Sequence, residues 1–248
     1  MSSVILTSYF SKKIHPNLSN DNHVIGRNEK GYIVNDEFNY IKSWYESVIK
    51  LDLDGRIFHD DLSEKFIKNY TTDKIKFVRT KSFQYSNNDW RFFCFRNFLE
   101  ENKFDYVFHN DISDVVIVKN PETLFKDFKD VCYFACKDSI PLNKFKYIDI
   151  HKRFEWEDYV KFLLNNNIWD LINMGVVGGR YNDMLNFYTK FCEVRIKMGD
   201  PDFNSDMWIL QYLLRSVFSD KEFLMGDPIC SEFKKYENGR EDVYFIHK

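Results

Sequence analysis

The stretch Phe104–Phe125, FDYVFHNDISDVVIVKNPETLF, constrains this chain more than any other. The apolar run Phe104–Phe108 predicts a buried strand. It breaks at an acidic turn holding Asp111 and Asp114, resumes as a second apolar strand over Val115–Val118, and reaches Asn120-Pro121, which opens a helix. Two carboxylates three residues apart at the C-terminal end of a hydrophobic strand repel one another unless a cation sits between them. Mg²⁺ and Mn²⁺ take oxygen ligands and share them with substrate phosphates. In open α/β sheets, ligands bind beyond the carboxyl ends of the strands. The segment therefore reads in two ways: a metal-assisted site for a phosphorylated substrate, or a solvated acidic turn between strands.

The rest of the 248 residues frames that segment as one α/β domain, 1–248. Val4–Tyr9 is the first strand, and the polar stretch Ser11–Val34, with Pro16, Gly26 and Gly31, is a long loop of the kind that carries function. Phe38, Ile41, Trp44, Tyr45, Val48 and Ile49 recur at helical spacing and predict a helix over Glu37–Leu51. Strands follow at Arg56–His59 and Ile75–Arg79, then a helix over Asn88–Asn102. Beyond the acidic segment come a strand at Val131–Cys136, a helix at Trp156–Leu164 and a strand-like run at Trp169–Arg180. Helices over Tyr181–Met198 and Ser205–Phe218 and a short strand, Tyr244–Ile246, complete the chain. The β, α, β alternation of the first half predicts a mostly parallel central sheet flanked by helices.

Apolar residues at 44% and a net charge of −3 describe a folded chain, and no basic block marks a nucleic-acid groove. No apolar run approaches the ~20 residues of a membrane helix, and the start, MSSVILTSYFSKK, is too short in its apolar part for a signal peptide. The five cysteines, Cys94, Cys132, Cys136, Cys192 and Cys230, are odd in number and lack a CxxC pair. Cys132 and Cys136 lie too far apart along an extended strand to bridge. Reduced, buried thiols and a cytoplasmic location are the expectation.

In order and motif, the chain resembles the single-domain, metal-dependent nucleotide-sugar glycosyltransferases of the GT-A fold. NDISDVVIVKNP is similar to that fold's acidic motif, in the Asp-x-x-Asp-Val form rather than the commoner Asp-x-Asp. LINMGVVGG resembles the Asn-x-Gly segment lining the sugar pocket: Asn173 would present its amide, and Gly175, Gly178 and Gly179 would permit close approach; a strand whose glycines mark a bulge or sheet edge is the other reading. NSDMWILQ looks like the region where an Asp at a helix start, here Asp206, lies near the reacting carbon; plain helix capping is the other reading. DVYFIHK matches in order and type a His that completes the metal shell and a Lys that reaches the diphosphate, here His247 and Lys248.

The resemblance further implies Thr7, Ser8, Tyr9 and Asp60 at the nucleotide, Arg91 at the donor phosphates, and Asp138 or Asp206 as a base beside the acceptor. It implies Mn²⁺ or Mg²⁺ held by Asp111, Asp114 and His247, a nucleoside-diphosphate sugar as donor, and a glycan or other hydroxyl as acceptor. Trp169, Trp156, Phe154 and Tyr147 are candidates for stacking on the acceptor, with packing in the core as the other reading. A metal-dependent phosphohydrolase and a catalytically inactive glycan- or nucleotide-binding module are the alternatives.

Overall fold

The computed structural model describes residues 2–15, 27–81, 84–142, 161, 165, 169–201 and 203–248. Its centre follows from β1 (Ser3–Tyr9), where Val4, Ile5 and Leu6 are all fully buried, as in a strand covered on both faces. Side-chain alternation divides them. Val4 and Leu6 join a core with Phe92, Phe95 and Phe187, whereas Ile5 and Tyr9 join one with Ile41, Trp44 and Val48. β1 runs parallel to β2 (Gly55–His59) on one side and β4 (Tyr106–Asn110) on the other, and β2 runs parallel to β3 (Ile75–Arg79).

The seven-stranded sheet has the order β3-β2-β1-β4-β7-β6-β8, with β6 at Tyr133–Pro141, β7 at Asp170–Arg180 and β8 at Phe223–Met225. β7 is antiparallel to both neighbours, and β6 is parallel to β8. A separate antiparallel ribbon pairs β5 (Val115–Ile117) with β9 (Phe245–His247). The described helices are α1 (Phe38–Lys50), α2 (Glu64–Tyr70), α3 (Asn87–Glu101), α4 (Leu124–Asp127), α5 (Tyr181–Lys197) and α6 (Asp206–Tyr212). The apolar stripe of α1 packs on the Ile5 side of the sheet, while α3, α5 and α6 cover the Val4 side.

This is the α/β architecture read from the sequence, a mostly parallel central sheet flanked by helices, with local differences. The helix expected at Pro121 is a 3₁₀ turn, Pro121–Thr123, followed by the single turn of α4. The helix expected to reach Phe218 passes from α6 into a π-turn at Leu213–Val217. Apart from Lys161, the helix expected over Trp156–Leu164 lies outside the described residues, as do the acceptor candidates Tyr147, Phe154 and Trp156.

One expectation is overturned. Cys136 and Cys230 are joined as a disulfide, with Cα atoms 5.1 Å apart and a sequence separation of 94. Cys136 lies on β6, and Cys230 stands beside β9, bridged to Phe245. Cys94 and Cys192 are buried free thiols and Cys132 is half-buried. No helix among the described residues is long and apolar enough to cross a membrane.

Candidate metal centre

Three elements converge at the carboxyl end of β4. The strand delivers Asp111, whose backbone N–H donates to the Gly175 carbonyl at 2.9 Å. Gly175 stands there because β7 is bulged. Ala135 pairs with Val177 but the next residue, Cys136, pairs with Asn173, so Met174, Gly175 and Val176 have no partner on β6. Bulges re-aim a strand in this manner, often next to sites. Val176 instead pairs with Asn110 at the end of β4.

The β5–β9 ribbon supplies the third element. His247 lies opposite Val115, so it comes beside Asp114, and the Lys248 N–H donates to the Asp114 carbonyl at 3.0 Å. The His247 N–H donates to the Ser231 hydroxyl at 2.9 Å. Its ring is slotted between Phe233, with centroids 4.2 Å apart, and Gly175, where any Cβ would collide with the imidazole. Gly175 is therefore a glycine because of His247.

The Nε2 of His247 is 3.9 Å from Asp111 Oδ2 and 3.7 Å from Asp114 Oδ2. One ligand atom from each of the three residues lies within 4.8 Å of the others. The His247 side chain is 1% exposed, yet neither ring nitrogen has a hydrogen-bond partner. A buried polar atom without a partner costs about 1–3 kcal/mol, so an imidazole held in this state beside two carboxylates needs a reason. Two carboxylate oxygens and an imidazole nitrogen form a donor set that suits Mn²⁺ and accommodates Mg²⁺.

Arg91 of α3 orders this cluster. It is buried, and its guanidinium bonds Asp111 Oδ1 with one nitrogen and Asp206 Oδ2 with another, the latter at 3.2 Å. One oxygen of Asp111 is thus held while the other faces His247. Burial pushes the Asp111 carboxyl up, but Arg91, followed by His247, more than reverses this and holds it below the usual carboxylate value. Burial pushes Asp206 up to about 7, against the pull of Arg91 and with the charges of Asp89 and Asp111 adding to the rise. One guanidinium facing a half-buried and a buried carboxylate leaves negative charge in excess.

The other residues singled out in the sequence fall elsewhere. Asn173 donates its amide to Asp138 Oδ2 at 2.9 Å and accepts the Gly175 N–H at 2.7 Å, so the pair stands next to the bulge. The Thr7 hydroxyl donates to the Asn110 carbonyl at 2.8 Å, and Ser8 is half-buried on β1. The Tyr9 hydroxyl donates to the Val34 carbonyl at 2.6 Å and accepts the Glu37 N–H at 3.0 Å, fixing the entry to α1. Asp60 accepts the N–H groups of Ser11 and Lys12 and anchors the chain as it leaves β1. Lys248 is half-buried at the ribbon's end, and the Trp169 ring lies under Arg215. Gly178, expected to admit substrate, makes room for the ring of Phe108, its partner on β4.

Sequence reasoning missed the buried pair Asp89–Arg195, at 2.6 Å, in which Asp89 also accepts the N–H and hydroxyl of Ser205 just before α6. The acidic residue in the first turn of α3 is visible in the sequence; its partner, 106 residues away, is not. His109, next to the acidic motif in sequence, points to the opposite face. It contacts the Tyr188 hydroxyl at 2.9 Å and is held neutral by burial, with Arg91 reinforcing.

No protein-family model and no curated protein sequence matches the chain. Solved structures do. A glycosyltransferase involved in glycosylation of the major capsid of PBCV-1 aligns over 100% of this chain and 92% of its own, with a TM-score of 0.51 and 16% identity. An active-site mutant of LgtC aligns over 98% of this chain and 86% of its own, with a TM-score of 0.52 and 13% identity. The bifunctional glycosyltransferase WbbM aligns over 99% of this chain but 45% of its own, with a TM-score of 0.56 and 13% identity. At these identities the likeness speaks for architecture, and the chain has the GT-A-like fold of these glycosyltransferases.

Proposed function

We propose that this protein is a cytoplasmic glycosyltransferase that moves a sugar from a nucleoside-diphosphate sugar to a hydroxyl of a glycan or another acceptor, with Mn²⁺ or Mg²⁺ as cofactor. The observation that carries the reading is the buried, hydrogen-bond-free imidazole of His247 set against Asp111 and Asp114 at the carboxyl edge of a GT-A-like sheet. The Asp-x-x-Asp spacing serves this purpose because the turn after β4 and the β5–β9 ribbon place both carboxylates toward one imidazole.

Asp111, Asp114 and His247 are the residues that would hold the cation. When bound, the cation supplies Lewis-acid stabilisation of the diphosphate leaving group. Arg91 is a positioning residue: by clamping one oxygen of Asp111 and reaching Asp206, it fixes the carboxylate that faces His247. Gly175 admits the imidazole and Phe233 keeps it from turning away. Asn173 is locked in orientation by Asp138 and the Gly175 N–H, which suits an amide that must present one face to a sugar. Asp138 and Asp206 are the two candidates for an acceptor base, and each would have to release an internal hydrogen bond to serve as one. The nearest histidine in sequence, His109, faces the opposite core, and this disfavours a two-metal phosphohydrolase.

A thermal-shift series with UDP-, GDP- and TDP-sugars, each with and without Mn²⁺, tests the reading. A ligand at a hundredfold excess over its Kd stabilises the native state by about 2.7 kcal/mol. The expected outcome is a rise for one donor only when Mn²⁺ is present. No rise for any donor, with the protein folded, would contradict it.

A further inference from the structure

The disulfide and the candidate cation site share a wall. A sulfur from each of Cys136 and Cys230 and a ring nitrogen of His247 all lie within 4.8 Å of one another, and all three residues are buried. The backbone holds them there independently of the sulfur–sulfur bond. Cys136 is paired in β6 opposite Asn173, next to the bulge that carries Gly175. Cys230 is bridged to Phe245, and the Ser231 N–H donates to the Phe245 carbonyl at 3.0 Å. His247 is on the same strand as Phe245, tied back to the Ser231 hydroxyl. In a cytoplasmic compartment a pair of this kind is a dithiol.

We propose that in the reduced protein Cys136, Cys230 and His247 form a second metal site, for a soft divalent cation of the zinc class, and that this site and the Asp111–Asp114 site compete for the same imidazole. Two thiolates and one imidazole are a zinc-type donor set, and tetrahedral Zn–S bonds of about 2.3 Å put two sulfurs about 3.8 Å apart, which rotation of the two side chains on Cα atoms 5.1 Å apart supplies once the bond is broken. The buried ring nitrogens of His247, without a hydrogen-bond partner, are the sign that a ligand is missing where the two clusters meet. Competition follows from the chemistry of the ring. A neutral imidazole has one nitrogen with a free lone pair and one that carries a proton. A cation bound between the thiolates therefore leaves His247 with none for the carboxylate side, whichever nitrogen it uses.

The redox step is two-electron exchange with a dithiol. The Cys136–Cys230 bond breaks, the reductant closes its own disulfide, and two S–H groups appear. Metal binding then releases those two protons to solvent as two S–metal bonds and one N–metal bond form. The competition half rests on the glycosyltransferase reading; the thiolate site does not.

The test is titration of the full chain with Co²⁺ under argon, after reduction with excess dithiol and desalting. The expected result is one equivalent of Co²⁺ bound with a thiolate-to-cobalt charge-transfer band, reversed by Zn²⁺ and absent from the unreduced protein. Cys136→Ser, Cys230→Ser and His247→Gln should each weaken binding at least about tenfold. Cys94→Ser and Asp114→Asn should leave the band intact. An unchanged Co²⁺ affinity and band intensity in Cys136→Ser, no band in the reduced chain, or loss of the native circular dichroism on reduction would each overturn the site.

Competition is read separately, by the paramagnetic resonance of free Mn²⁺. One equivalent of Zn²⁺ should lower the Mn²⁺ affinity of the reduced chain at least about tenfold more than that of the oxidised chain, where Zn²⁺ has only the carboxylate–imidazole site to contest. An equal effect on the two forms, or equal Mn²⁺ affinity with and without Zn²⁺, would overturn the competition. If neither form binds Mn²⁺, the glycosyltransferase reading fails and the cobalt band still decides the thiolate site.

Discussion

Two regions of the molecule treat the polar side chains singled out in the sequence in opposite ways. Around β1 and β2, each buried polar side chain expected at a nucleotide is satisfied within the fold: Thr7 by the Asn110 carbonyl, Tyr9 by the entry to α1, Asp60 by the turn after β1. Around the β7 bulge and the β5–β9 ribbon, His247 is buried with no partner on either ring nitrogen, and two carboxylates face it. The first region uses polarity to close the structure; the second holds polarity open toward a common point. Chemistry is expected where hydrogen-bonding capacity is organised but unused, and a strand end alone does not suffice.

The comparison can be broken from either side. The largest expected effect is on the structural side. Asp89→Ala leaves the Arg195 guanidinium buried without its carboxylate, and loss of one partner of such a pair costs about 3–5 kcal/mol. Urea unfolding measures it, and a loss under about 1 kcal/mol would mean that the pair does not organise α3, α5 and α6.

Next comes pH. Asp206 is pushed up to about 7 in the folded protein, against about 3.9 unfolded. The folded state therefore binds the extra proton between these values, and stability falls as pH rises through that window, by a few kcal/mol at most. Asp206→Asn, which resembles the protonated acid, is expected to match the parent near pH 4 and to exceed it above about pH 7. Parallel stability–pH curves would remove the excess negative charge from the account.

Gly175→Ala should follow. The added methyl displaces the His247 ring, so Mn²⁺ affinity should fall about 10- to 100-fold with the fold retained. Unchanged affinity would take His247 out of the site. Smallest is Tyr9→Phe, expected to cost about 1 kcal/mol through its two lost hydrogen bonds, with turnover unaffected. A drop in turnover there would return Tyr9 to the nucleotide site.

What is legible in the sequence follows the reach of each signal. β1 and β3 are readable as short apolar runs, α1 because a period-3.6 pattern persists over its length, and the acidic break stands out because two carboxylates interrupt two apolar runs. α2 and β8 are not, since seven and three residues carry too little periodicity. The β7 bulge is half legible: the glycines of LINMGVVGG allow a bulge or sheet edge, but which three residues lose their partners is set by pairing, not composition. The partners of Asp89 and Cys136 are invisible because they stand 106 and 94 residues away, joined only by the fold. The roles of Thr7, Tyr9 and Asp60 depend on the hydrogen-bond partner, which no local pattern specifies.

The most direct measurement is a calorimetric titration of Mn²⁺ into the oxidised chain, followed by the nucleotide-sugar donor that raises its melting temperature, for the parent and for Asp114→Asn and His247→Gln. The account expects one Mn²⁺ per chain, donor binding only after it, and at least about a tenfold loss of Mn²⁺ affinity in both variants with their folds intact. Equal Mn²⁺ affinity in all three proteins, or donor binding that ignores the metal, would contradict it.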